Sequence, residues 1–141
     1  MAAIDTFRGA AHPWLCDVMG HLNTRNYVAM FDDASMHLIA ALGYDFAEAR
    51  AGKFGWADVH VEIDLLAEVG KGELIKISSC IPQLGNSSLT SRHEMTDLSG
   101  ERVFARYTVK TVFFDLQARK SHSIPDTYRA AAAEIAHDDL Q

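Results

Sequence analysis

The sequence predicts an α+β fold in which an antiparallel β-sheet wraps around one long central α-helix. Apolar residues recur at three- and four-residue steps over residues 27–42, which is the period of one helix face. After Gly43 the pattern changes to strict alternation, which is the period of half-buried strands. Because a single helix can bury its apolar stripe only against another layer, strands this long must curl around it.

Length, composition and charge restrict the classes of protein that remain. The 141 residues, 48% of them hydrophobic, suffice for one core, so we expect a single domain over residues 1–141. The net charge of -6 argues against nucleic acid and anionic membranes as partners. The sequence opens without a charged and then apolar leader, and no apolar run reaches the ~18 residues of a membrane span. We therefore expect a cytoplasmic protein whose partners are small molecules or copies of itself.

Two cysteines, Cys16 and Cys80, are too few for a disulfide framework and fit a reducing compartment. We expect both thiols to be free. The seven histidines are scattered and form no metal-binding motif, so no metal or other cofactor is predicted. The sequence also lacks the glycine-rich and nucleophile-elbow motifs of serine hydrolases and nucleotide-binding enzymes.

The long helix is predicted from about Asn23 to Gly43. Asn23 or Thr24 can cap its start by accepting a hydrogen bond from a first-turn N–H, and Gly43 can end it in a left-handed conformation. Its apolar face contains Tyr27, Met30, Phe31, Ala34, Leu38, Ala41 and Leu42. By helical angle Asp33 faces away from this stripe, whereas Asp32 lies beside Val28, Ser35 and Ile39.

A short strand is predicted over residues 6–11, and four longer strands follow the helix as a meander. They span residues 59–69, 74–81, 88–96 and 102–115, with breaks at Gly70–Gly72, at Pro82 with Gly85–Ser87, and at Asp97–Gly100. In the first of them Glu62 and Asp64 face away from the apolar side. Pro125 can begin a final alanine-rich helix over residues 128–137.

The run from Asp17 to Tyr27 carries the most chemistry. It places a carboxylate seven residues ahead of Thr24, where the free N–H groups and the positive end of a helix dipole form a site for an oxyanion. A carboxylate beside such a site can attack a polarised carbonyl, or activate water to attack it. Asp17 can equally cap a turn of its own loop, as Asp commonly does.

The pattern D-x-x-G-H-x-N-x-x-x-Y over Asp17–Tyr27 resembles the signature of hot-dog acyl-CoA thioesterases related to 4-hydroxybenzoyl-CoA thioesterase. The resemblance implies the hot-dog fold, hydrolysis of an acyl-CoA thioester without metal or prosthetic group, and coenzyme A as part of the substrate. It also implies a homodimer or homotetramer with active sites between subunits. Where the 4-hydroxybenzoyl enzyme has other residues, this chain has Gly20-His21-Leu22-Asn23, the variant common in general acyl-CoA thioester hydrolases, so the resemblance leaves the acyl group open.

The same resemblance implies roles for particular residues. Asp17 corresponds to the catalytic carboxylate, and the Thr24 backbone N–H polarises the thioester carbonyl. From its place beside the helix start, His21 can position Asp17, hold the loop or face solvent, and Asn23 can organise the loop by hydrogen bonding. Asp32 lies where the 4-hydroxybenzoyl enzyme contacts the acyl end of its substrate. Further residues expected at the substrate are Tyr27, Trp56, Ser87, Ser88 and Arg92, the last three in the region that receives coenzyme A.

Two other functions use the same fold. A non-catalytic acyl-CoA sensor or scaffold would bind the thioester at the same corner without cleaving it. A hydratase or dehydratase is disfavoured because Asp17 and His21 do not have the spacing of that class.

Overall fold

The structure is a computed structural model that describes residues 3–135. It contains six strands, three α-helices and a short 3-10 helix at Pro13–Leu15. In chain order the named elements are β1 (Ile4–Ala10), α1 (Thr24–Ala41), α2 (Ala47–Arg50), β2 (Phe54–Leu65), β3 (Leu74–Leu84), β4 (Ser88–Thr96), β5 (Val103–Asp115), β6 (Lys120–Ser121) and α3 (Asp126–Glu134).

The strands form one antiparallel sheet in the order β1-β3-β4-β5-β2, with β6 paired to β5. The predicted meander is correct for β3, β4 and β5. It is wrong for β2, which pairs with β5 and not with its sequence neighbour β3. The connection over residues 66–73 is too long for a tight hairpin, so β2 can cross to the far edge of the sheet.

Several strand boundaries differ from the sequence prediction, most of all in β2 and β3. β2 begins at Phe54, five residues earlier than expected, ends at Leu65, four residues earlier than expected, and has a bulge between Asp58 and His60 that shifts its alternation. β3 continues past Pro82 to Leu84. A second bulge between Cys80 and Gln83 leaves Pro82 unpaired in the ladder, so the strand does not need the N–H that proline lacks. A bulge depends on the partner strand and is not visible in the hydrophobic alternation of one strand alone. The prediction therefore misplaced the start of β2 and the end of β3.

Helix α1 confirms the predicted long helix and most of its apolar face. Its N-cap is Asn23, and Gly43 follows the C-terminus with a φ of 95°. Ala41 is exposed, contrary to prediction, whereas Ser35 and Ile39 are buried, so the buried face is rotated slightly toward Asp32.

The core lies between α1 and the inner face of the sheet. Tyr27, Phe31 and Ala34 of α1 pack in one cluster with residues of β3, β4 and β5, and Leu38 and Ile39 join a second cluster that α3 covers. The helix packs on β1, β3 and β4. The C-terminal half of β2 is largely exposed.

The remaining predictions concern the cysteines and the last helix. Among the described residues neither Cys16 nor Cys80 takes part in a disulfide. α3 begins at Asp126 after Pro125 and ends at Glu134, and the part of the predicted helix beyond residue 135 lies outside the described residues. Among residues 3–135, no helix is long and apolar enough to span a membrane.

Candidate functional site

Asp17 lies at the tip of a tight hairpin between Cys16 and Leu22, which form an isolated antiparallel bridge. The Asp17 N–H donates to the His21 carbonyl at 2.8 Å, and the Gly20 N–H donates to the Asp17 carbonyl at 3.1 Å. Gly20 has a φ of 81°, a left-handed conformation that glycine adopts without strain. The glycine of the motif is therefore required by the turn.

The connection between β2 and β3 holds this hairpin in place. The Leu22 N–H donates to the Val69 carbonyl at 2.8 Å, and the Lys71 N–H donates to the Gly20 carbonyl at 3.0 Å. The buried hydroxyl of Tyr27 accepts a hydrogen bond from the Val69 N–H at 3.3 Å, and burial raises the pKa of this phenol. Tyr27, expected at the substrate, thus contacts backbone that supports the Asp17 hairpin.

The two oxygens of the Asp17 carboxylate have different surroundings. Oδ1 accepts hydrogen bonds from the Met19 N–H at 2.9 Å and from the His21 N–H at 3.3 Å. No described residue donates to Oδ2. The carboxylate therefore caps its own turn with one oxygen, which fixes its orientation, and offers the other oxygen to a ligand.

The start of α1 follows the hairpin after one residue. The Asn23 side chain accepts a hydrogen bond from the Arg25 N–H at 3.1 Å and caps the helix. The Thr24 N–H, exposed at the first helical position, donates to no described residue. An unpaired N–H at the positive end of a helix dipole is a donor suited to a carbonyl oxygen that becomes negative.

His21 contacts an acid from the neighbouring connection. Its Nε2 lies 3.2 Å from Glu68 Oε2, while its Nδ1 is buried and has no partner among the described residues. The His21 carbonyl accepts a hydrogen bond from the Asp17 N–H, and the His21 N–H donates to Asp17 Oδ1. The His21–Glu68 pair can therefore hold the hairpin that carries Asp17 against the β2–β3 connection.

A second group of site residues lines a cavity of about 220 Å³ between α1 and β2. Asp32 and Trp56, both predicted at the substrate, lie here with Asp58, which sequence reasoning missed. Asp58 Oδ1 accepts a hydrogen bond from the Thr111 hydroxyl at 2.8 Å. Partial burial, and then the charges of Asp58 and Asp33, raise the pKa of Asp32 above its ordinary value.

Asp58 was missed because the alternation was counted from the wrong residue. Before the bulge Trp56 and Asp58 pair with Phe113 and Thr111, whose side chains are buried on the inner face of the sheet. Counting every second residue from Trp56 would have placed Asp58 on that face.

The third group lies apart from the other two. Ser88 lines a cavity of about 240 Å³ together with Lys110, and the Ser87 carbonyl accepts a hydrogen bond from the Phe113 N–H at 2.8 Å. Arg92 alternates with the buried Ser91 and His93 and so lies on the outer face of β4. Within residues 3–135 of one chain, none of the hydrogen bonds and ion pairs described here joins the three groups to one another.

Comparison with known proteins defines the family. The sequence matches the family model of the thioesterase-like superfamily over residues 11–132, which include the Asp17 hairpin, α1 and the strands from β2 to β5. The chain belongs to the thioesterase-like superfamily. No curated protein sequence matches this superfamily member at a significant level.

Solved structures similar to this thioesterase-like protein share its fold at low sequence identity. A 1,4-dihydroxy-2-naphthoyl-CoA thioesterase from Synechocystis is 18% identical with a TM-score of 0.83, over 96% of this chain and 98% of that one. A Staphylococcus aureus protein solved in complex with CoA is 15% identical with a TM-score of 0.88, over 100% of this chain and 89% of that one. A DHNA-CoA thioesterase from Staphylococcus aureus is 14% identical with a TM-score of 0.81, over 96% and 91%.

These similarities cover nearly the whole of each chain, so they describe the complete curled sheet with its helix. The predicted hot-dog fold and the resemblance to the family of 4-hydroxybenzoyl-CoA thioesterase are confirmed.

Proposed function

We propose that this thioesterase-like protein hydrolyses an acyl-CoA thioester to a free acid and coenzyme A, with Asp17 as the catalytic carboxylate. The observation that carries the proposal is the arrangement at the start of α1. There the Asp17 hairpin leads directly into α1. Asp17 Oδ2 has no described partner, and the Thr24 N–H at the start of the helix donates to no described residue. Membership of the superfamily, and the named activities of proteins with the same fold, support a thioester as the substrate.

In the proposed mechanism the Thr24 N–H donates to the thioester oxygen, which becomes negative as the carbonyl is attacked. Asp17 Oδ2 either attacks the carbonyl carbon itself, forming an acyl-aspartyl anhydride that water then hydrolyses to the free acid, or removes a proton from a water molecule that attacks the carbonyl carbon. Both routes expel the coenzyme A thiolate, a good leaving group, so no strong general acid is needed. His21 and Asn23 act by positioning the hairpin and the helix start.

The remaining site residues are proposed to bind the rest of the substrate. Asp32 and Trp56 line the cavity for the acyl group, and Ser87, Ser88 and Arg92 contact the coenzyme A portion. Because these groups lie apart in one chain, the proposal includes a homodimer or homotetramer, in which a partner subunit completes the site.

The sheet itself supports self-association. β2 is an edge strand of 12 residues that is exposed from Ala57 onward apart from the half-buried Ile63, and its exposed apolar side chains include Val59, Val61 and Leu65. Long apolar edge strands are normally paired or covered, since their free N–H and C=O groups bind further strands. We propose that a second copy pairs with or covers β2.

The proposed activity is tested by release of free thiol from a panel of acyl-CoAs with wild type, Asp17→Asn and Asp33→Asn. The asparagine keeps an Oδ1 acceptor for the Met19 and His21 N–H groups but can neither attack nor accept a proton. We expect kcat of Asp17→Asn to fall by about 10²- to 10⁴-fold, the range typical of a positioned acid or base. Asp33, exposed on α1, should tolerate the same change.

Two results would contradict the proposal. Equal turnover in wild type and Asp17→Asn would remove Asp17 from the chemistry. No turnover of any acyl-CoA, together with tight acyl-CoA binding by both proteins, would favour the non-catalytic sensor.

A further inference from the structure

The cavity between α1 and β2, here called the aspartate cavity, has an unusual charge distribution. Asp32 of α1 and Asp58 of β2 face it from opposite walls, and no lysine or arginine lines it. Neither carboxylate forms an ion pair with any residue in the described part of the chain. The cavity therefore holds two negative charges without a described counter-charge.

Asp58 is an exception on its own strand face. The other inward positions of β2 are the aromatic Phe54 and Trp56 before the bulge and the apolar Val61, Ile63 and Leu65 after it. The Thr111 hydroxyl donates to Asp58 Oδ1 and orients the carboxylate on this face. Asp58 is itself exposed, so its carboxylate is accessible to a ligand that enters the cavity.

The rest of the wall suits an organic cation. Phe46 and Trp56 line the same cavity, and aromatic rings attract ammonium groups through their π-electron faces. The Trp56 indole N–H is buried and donates to no described residue. A carbonyl group of a ligand could accept this hydrogen bond. Mutual repulsion with Asp58 adds to partial burial in raising the pKa of Asp32, and a bound cation would relieve that repulsion.

The position of Asp32 relates the cavity to the proposed thioester site. Asp32 lies eight residues beyond Thr24, which is about 12 Å along a helix axis at 1.5 Å per residue. Helical side chains tilt toward the N-terminus, so the Asp32 carboxylate lies closer to the helix start than its Cα. A substrate whose carbonyl lies at the Thr24 N–H can therefore direct its acyl group along α1 toward the aspartate cavity.

We propose that the aspartate cavity binds a positively charged end of the acyl group, a quaternary or protonated amine, so that the substrate class is a cationic acyl-CoA. This inference rests on the proposed thioesterase function. A single carboxylate would suffice to accept a hydrogen bond from a hydroxyl group. Two carboxylates without a described counter-charge, with aromatic rings lining the same cavity, favour a full positive charge.

The test compares acyl-CoAs of nearly identical shape that differ only in charge. Trimethylammonioacetyl-CoA is matched by 3,3-dimethylbutanoyl-CoA, and 4-(trimethylammonio)butanoyl-CoA by 5,5-dimethylhexanoyl-CoA; 4-hydroxybutanoyl-CoA represents a neutral hydrogen-bond donor. We expect wild type to prefer the cation of at least one pair by about tenfold or more in kcat/KM, equivalent to one cation–π or ion-pair contact.

Three variants show whether the aspartates cause that preference. Asp32→Asn and Asp58→Asn should each reduce the ratio of cationic to neutral kcat/KM by about tenfold, a change typical of losing one partly buried charge contact. Asparagine at position 58 keeps an oxygen acceptor for Thr111, and Asp32 is exposed on a helix, so both variants should fold. Asp33→Asn, one residue away and outside this cavity, should keep the wild-type ratio.

The outcomes separate this inference from the thioesterase proposal. Turnover with equal or greater rates for the neutral partner or the hydroxyl compound overturns the cationic class and leaves the thioesterase standing. If the aspartate variants lose kcat/KM equally for charged and neutral substrates, the cationic class is also overturned, because the carboxylates then act on the structure of the protein and not on the charge of the substrate. If no acyl-CoA is hydrolysed, the dissociation constants of non-hydrolysable ketone analogues of the same matched pairs are measured. Tighter binding of the cationic analogue by wild type, lost in Asp32→Asn and Asp58→Asn, supports the inference. Equal binding of the cationic and neutral analogues overturns it.

Discussion

Tyr27 shows how one residue of the motif acts through the backbone. Its ring lies on the buried face of α1 and packs against the sheet, and its hydroxyl lies between two backbone groups of the β2–β3 connection, the Val69 N–H and the Ala67 carbonyl. That connection in turn hydrogen-bonds the hairpin that carries Asp17. The tyrosine thus links the first turn of the helix to the support of the proposed catalytic carboxylate.

Tyr27→Phe should lower the free energy of unfolding by about 1–3 kcal/mol, because it leaves the buried Val69 N–H without an acceptor. Urea denaturation measures this loss. Tyr128→Phe is the matched control, since the Tyr128 hydroxyl bonds no described residue, and it should cost less than about 0.5 kcal/mol. Equal losses in the two variants would mean that the Tyr27 hydroxyl contributes nothing specific.

Among the elements, the three strands β1, β3 and β4 share a buried polar network. His93 of β4 is fully buried, with Nδ1 2.5 Å from the Ser79 hydroxyl and Nε2 2.9 Å from the Ser91 hydroxyl. Ser79 also lies 2.8 Å from the Thr6 hydroxyl of β1. Because hydroxyl groups can donate or accept, a neutral imidazole satisfies both nitrogens here. Burial lowers the pKa of His93 to about 3.

The low pKa of His93 predicts a loss of stability in acid. Below its ordinary pKa of about 6.5 the unfolded chain binds a proton at this histidine, whereas the folded chain stays neutral until about pH 3. The unfolded state therefore binds more protons in this window. The His93 contribution to stability is fully present above about pH 6.5 and is lost as the pH falls toward 3.

Urea denaturation at several pH values between 4 and 7 checks this prediction. His93 alone can contribute up to about 1.4 kcal/mol per pH unit to the decline. His93→Gln should flatten the pH dependence, whatever its effect on stability at neutral pH, and the exposed His37→Gln should leave it as in wild type. A slope that His93→Gln does not change would place the acid sensitivity elsewhere.

For the whole molecule, the edge strand β2 is the feature that one chain does not complete. If a second copy covers it, wild type should have at least twice the monomer mass in light scattering coupled to gel filtration. Val61→Lys should shift the protein toward monomer and lower activity, because a buried ammonium is costly at an apolar interface. Leu98→Lys is the control, since Leu98 at 44% and Val61 at 45% are almost equally exposed. A monomeric wild type, or equal mass in Val61→Lys and wild type, would contradict this interface.

Much of the fold was predictable because local patterns report local structure. The period of the apolar residues identified α1, Asn23 was one of the two caps proposed for it, and β4 was predicted at Ser88–Thr96, where it lies. Errors occurred where a contact distant in sequence decides the outcome. The bulges in β2 and β3, and the pairing of β2 with β5, depend on partner strands that a single segment does not reveal.

For the site, the sequence alone was enough to propose the residues near the helix start, because Asp17, Gly20, His21 and Asn23 belong to one short hairpin and cap. Only the tertiary structure decided what surrounds them. It showed that Tyr27 supports Val69, that His21 faces Glu68, and that Asp32 shares a cavity with Asp58. Turn and cap geometry follows from neighbouring residues, whereas the facing of two carboxylates across a cavity follows from how the sheet curls around the helix.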